Sequence, residues 1–177
     1  MIPHQIHGLP VHPLAVHAAV VFVPLAALLA ILFVIPRTRA WSALPMALVS
    51  VAALISVYVA RASGFNFKRH FVTLVGGAAA WNSSALGKAV HTHEGRANVL
   101  FYLMVVFAIV AVAVYVLWRR ADRFTGPVEY VACAVLVVGA LVVGFQCYLV
   151  GDSGAKAVWN PDGNTDYSSI APLVPHR

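Results

Sequence analysis

The sequence predicts an all-α integral membrane protein: four transmembrane helices in an up-down bundle, with a large outer loop and an irregular C-terminal tail. Three observations carry that expectation. Apolar residues make up 61% of the 177-residue chain and charged residues only 10%, and the mean hydropathy is +0.84, far from soluble-domain usage. Four uncharged stretches, residues 13–35, 41–60, 97–118 and 130–150, each come near the roughly 20 residues that cross a hydrocarbon core. Each must be helical, because an open strand in lipid leaves its backbone polar groups unsatisfied. The whole chain, 1–177, reads as one membrane domain.

The first span opens on "VHPLAVH", residues 11–17, where Pro13 suits a first helical turn and His17 is expected to turn inward. Residues 1–12 carry no basic stretch of the signal-peptide kind, and the apolar run behind them is too long for one, so it is expected to stay as a span. Pro24 lies inside that span and is expected to kink it by removing the bond to the Val20 carbonyl. The connection to the second span holds Arg37 and Arg39, and Pro45 sits in the second span's opening turns. Residues 61–96 form the outer loop, within which "FVTLVGGAAAW" is half a span long and suggests a re-entrant or interfacial segment. The third span is followed by Arg119, Arg120 and Arg123. The fourth carries both cysteines, Cys133 and Cys147, which lie roughly 21 Å apart along a helix and cannot bridge. In the tail, residues 151–177, Asp162, Asn164 and Asp166 alternate as calcium ligands do, but the pattern lacks the glycine and glutamate of an EF-hand and fits an Asx-rich turn better. Trp41, Trp118, Tyr130 and Tyr148 stand at span ends, as an aromatic belt does.

The net charge of +6 reflects where arginine sits rather than affinity for nucleic acid. Five arginines crowd two short loops, which the positive-inside rule places in the cytoplasm. That puts both termini on the outer side of a bacterial inner membrane, with lipid as the surrounding partner. No Ser-His-Asp set, phosphate loop or intramembrane carboxylate pair is visible, so hydrolase and transferase chemistry has no machinery, and nothing beyond electron transfer is expected.

The histidines are the candidate site. His12, His17, His70, His91 and His93 all map to the outer ends of spans or the outer loop. His17 lies about one turn inside the first span, and His93 leads into the third, which runs in the same direction. Two imidazoles at similar depth suit one b-type haem held between them. Small residues at that level (Ala18, Ala19, Ala60, Gly64, Gly144) would leave room for a macrocycle, and Arg61 and Arg96, with Lys68 and Arg69, would meet its propionates. A second candidate is a zinc or copper site of His91, His93 and Glu94, which requires an extended segment so that positions i and i+2 share a face. The plainer reading makes these histidines structural, in an accessory subunit docked on a larger membrane complex or on further copies of itself.

The motifs "HPLAVH", "HEGRAN" and "GFQCYLVGDSGAKAV" resemble an uncharacterised bacterial family of four-helix membrane proteins. That family opens on His-Pro-Leu-x-Val-His, here His12 to His17. It carries His-x-x-x-x-Asn on the third helix, here His93 and Asn98, and closes with glycines and a valine, here Gly144, Gly151, Gly154 and Val158. The usual proline close behind the second histidine is delayed here to Pro24, and the outer loop and tail are longer than the pattern. The family's association with Rieske-type iron-sulfur proteins implies membrane electron transfer.

Overall fold

The computed structural model describes residues 5–6, 9–120 and 124–166. Arg123 and the tail beyond 166 lie outside the described residues. A minimal antiparallel pair, β1 (Gln5–Ile6) and β2 (Leu9–Pro10), precedes α1 (Val11–Val34). There follow α2 (Arg39–Leu74), the short α3 (Ala78–Ser83), α4 (Ala85–Arg119) and α5 (Pro127–Trp159). The four long helices are apolar enough to cross a membrane. They pack as a closed ring in the order α1, α2, α4, α5, so that α1 and α4 face each other across the diagonal.

The interior is built from small and medium side chains that let helices approach closely. Ala26, Ala30 and Phe33 of α1 meet Met46 and Ala53 of α2, Met104 and Ala111 of α4, and Leu136 and Ala140 of α5. The Phe107 ring lies directly over Gly139, where a Cβ would come within 2.9 Å of it. The buried serines of α2 donate back into their own helix: Ser50 Oγ to the Met46 carbonyl at 2.7 Å and Ser56 Oγ to the Ala53 carbonyl at 2.8 Å. That solution leaves no hydroxyl unsatisfied away from water. α1 runs as one helix through Pro24.

Three sequence expectations are corrected. Residues 61–96 are not a loop: α2 has 36 residues and α4 has 35, so each is over ~50 Å long and extends well past a ~30 Å hydrocarbon core. "FVTLVGGAAAW" is not a half-span either. It divides into the end of α2, a glycine turn, and α3. Gly76 and Gly77 take φ of 90° and 105°, a region closed to most side chains. Gly77 N–H donates to the Val72 carbonyl at 2.9 Å and Gly76 N–H to that of Thr73 at 3.4 Å, the paired bonds of a Schellman stop. The tail likewise begins later than expected, because α5 continues to Trp159 before the turn at 160–166.

A candidate functional site at the histidine end of the bundle

The end of the bundle where α1 begins and α5 ends gathers most of its polar side chains. His12, in the first turn of α1, crosses to α2 and donates its Nδ1–H to the Ala60 carbonyl at 2.9 Å. His93, in the third turn of α4, reaches α5, where Nδ1 lies 3.1 Å from the Val150 carbonyl and 3.3 Å from Ser153 Oγ. A carbonyl can only accept, so in both rings Nδ1 carries the hydrogen and the neutral imidazole keeps its lone pair on Nε2. The two rings meet edge to face with centroids 6.4 Å apart. Because α1 and α4 are diagonal, that contact lies on the bundle axis.

Glycine makes the approach possible. A Cβ on Gly64 of α2 would come within 3.1 Å of His12 Cε1, and one on Gly154 of α5 within 3.1 Å of His93 Cε1. Phe67 of α2 stacks on the other side of His12 at 5.7 Å between centroids. A cleft of about 310 Å³, lined by Gln5, Val11, Ser63, Asn66, Phe67 and His70, opens onto His12. His12 is therefore reachable from outside while its Nδ1 is held.

The arginines singled out from sequence are here too, and both are tied to neighbours. Arg61 Nε donates to Asn98 Oδ1 at 2.6 Å, with its guanidinium over the Phe101 ring at 5.3 Å. Arg96 donates to the Leu149 carbonyl at 3.0 Å and to Asp152 Oδ2 at 3.3 Å. Lys68 pairs with Glu94 at 2.7 Å, and Gln146 Nε2 donates to the Arg96 carbonyl at 2.9 Å. Together these contacts lock α2 to α4 and α4 to α5.

The structure does not bring His17 to His93. Five residues along a helix turn a side chain about 140° away from its starting direction. With His12 facing the axis, His17 is exposed on the outside of α1, donating Nδ1–H to the Pro13 carbonyl of its own helix at 2.6 Å. The His91–His93–Glu94 metal site is not formed, because the segment is helical from Ala85 onward and positions i and i+2 diverge. His91 lies between Asn82 Oδ1 at 3.3 Å and Glu94 Oε2 at 3.5 Å, and Glu94 is also held by Lys68, so it is His93 that the helix turns away from the other two. Among the described residues no group of three or more metal-ligating side chains assembles. Of the small residues expected to make room, Gly64 is filled by the His12 ring, while the missing Cβ of Gly144 faces open space.

Fold and site together define a polytopic helical membrane protein with a pair of histidines on its axis. The chain belongs to the predicted membrane protein family DUF2231, a domain of unknown function, whose model matches residues 8–166. That range takes in all four long helices and both histidines. No curated protein and no solved structure matches the chain.

Proposed function

We propose that the protein is the membrane-embedded subunit of a bacterial electron-transfer system that binds one b-type haem near the outer face, with His12 and His93, in place of His17 and His93, as the residues that would hold it. One observation supports this most: two imidazoles from diagonal helices meet on the axis, each with Nδ1 anchored to a backbone carbonyl and Nε2 left free to ligate. Arg61, whose terminal nitrogens make no hydrogen bond among the described residues, stands at the same end to meet a propionate. Arg96 would first have to release Asp152.

The orientation follows from charge. Arg37, Arg39, Arg119 and Arg120 lie at the end with the short connections, so that end faces the cytoplasm and the histidine end faces outward. With Cys133 and Cys147 replaced by alanine, a membrane-impermeant maleimide applied to intact cells should label Gln5→Cys and Asp162→Cys but not Arg37→Cys. The reverse pattern would invert the topology.

The test of function is a dithionite-reduced minus oxidised spectrum of the protein purified in mild detergent, with haem counted per chain. The expected result is a b-type band at about one haem per chain, lost in His12→Ala and His93→Ala and kept in His17→Ala. A blank spectrum from folded protein would overturn the haem reading. It would leave the accessory-subunit reading, in which the same contacts merely brace the bundle.

A further inference from the structure

The cleft that opens onto His12 has no charged residue in its lining, although it lies at the end where Arg61, Lys68, Arg69 and Arg96 gather. The reason is helical phase. Ser63, Asn66, Phe67 and His70 fall within about 100° of one another around α2, whereas Lys68 and Arg69 turn to other sides of the helix, Lys68 to its ion pair with Glu94. The lining is therefore a stripe of neutral polar groups beside an aromatic wall, in which Phe67 and His12 stack with 26° between their planes. From buried Ser63 to exposed His70 the stripe rises roughly 10 Å. Ser63 Oγ is committed to the Val59 carbonyl at 2.7 Å. The side-chain amides of Gln5 and Asn66 and the imidazole of His70 make no hydrogen bond among the described residues. The cleft also stands at the depth where lipid begins: α1 starts at Val11, in its lining, and Leu14, one turn deeper on the same face, is exposed.

We propose that this cleft binds the head group of a membrane quinone or quinol. A permanently charged ligand would find no counter-charge there, and a purely apolar one would strip water from two amides and an imidazole without replacing it. A neutral ring with oxygens at opposite edges meets both conditions. The amides donate to a quinone's carbonyls or accept from a quinol's hydroxyls, and a neutral imidazole does either through one nitrogen or the other. The ring packs on the wall of Phe67 and His12, and an isoprenoid tail passes Leu14 into the lipid. The role of the bound head group as an electron donor or acceptor rests on the haem reading, because it is the His12 ring that it touches; its binding does not.

The test is binding of a short-tailed ubiquinone to the purified full chain in mild detergent, with bound quinone extracted and counted per chain over a series of quinone-to-detergent ratios. One quinone per chain is expected, and an excess of the isoprenoid alcohol with the same tail should not displace it. Asn66→Leu and His70→Leu, neither at a fully buried position, should each weaken binding about fivefold, the worth of one hydrogen bond. Retention no greater than in empty micelles would overturn the proposal, as would displacement by the alcohol or binding indifferent to both leucine variants. The haem spectrum of the same preparation separates the two proposals: quinone held by colourless protein keeps this site and removes the haem, whereas haem without quinone does the reverse.

Discussion

His12 and His17 belong to one short motif, yet they have opposite fates. The inward one is His12, because its ring finds the Ala60 carbonyl on α2 and the space over Gly64, and helix geometry then sends His17 outward. The glycines are as much part of the site as the imidazoles. Gly154→Val is expected to destabilise the protein by about 1–3 kcal/mol through overpacking against His93, measured by thermal unfolding in detergent. Gly144→Val, at a position facing open space, should cost far less. If the two changes cost the same, the close approach of His93 to α5 is wrong. The resemblance to His-Pro-Leu-x-Val-His named both histidines of this segment. Which of its two histidines faced the axis depended on the rotation of α1, which no spacing within the motif states.

On the scale of elements, the short connection between α1 and α2 is organised by Arg39. Its Nε donates to the Phe33 carbonyl at 3.0 Å and its Nη2 to that of Val34 at 3.1 Å, satisfying carbonyls that the end of α1 would otherwise leave orphaned. Its Nη1 holds Glu129, at the start of α5, at 2.6 Å, and its guanidinium lies 5.5 Å from the ring centres of both Phe33 and Phe124. Thr38 Oγ1 adds a bond to the Leu32 carbonyl. From sequence this arginine counted only as a topology charge. Its structural role depends on residues 90 positions away, beyond the reach of any local pattern. Arg39→Ala is expected to cost about 2–4 kcal/mol, since it strands both the carbonyls and the carboxylate. Glu129→Gln should cost less, because the carbonyl bonds survive. Thermal unfolding of the two single variants and the double variant would give the coupling directly, and a double cost equal to the sum would remove the pair from the account.

For the whole molecule, α2 and α4 are the tall members of the ring, and their upper thirds, joined through the glycine turn and α3, stand beyond the lipid. Hydrogen exchange in a lipid disc should therefore be fast from Phe65 to Leu74 and slow from Met46 to Val57, where backbone amides are shielded by both protein and membrane. Uniform protection along α2 would place the membrane elsewhere. The number, order and apolar extent of the crossings were legible in the chain itself, because a span is a local property: enough consecutive apolar residues to cross the core, with backbone hydrogen bonds that only a helix can close. That Arg37, Arg39, Arg119 and Arg120 share one end was legible for the same reason. What only the tertiary structure decided was which faces meet. The ring order of the helices put α1 opposite α4, their rotations selected His12 over His17, and the helical state of residues 85–96 separated His91 from His93. Each of these depends on packing between segments distant in sequence, through contacts such as Ala60 with His12 and Gly154 with His93, and in a chain apolar on nearly every face no hydrophobic stripe marks the inward side beforehand.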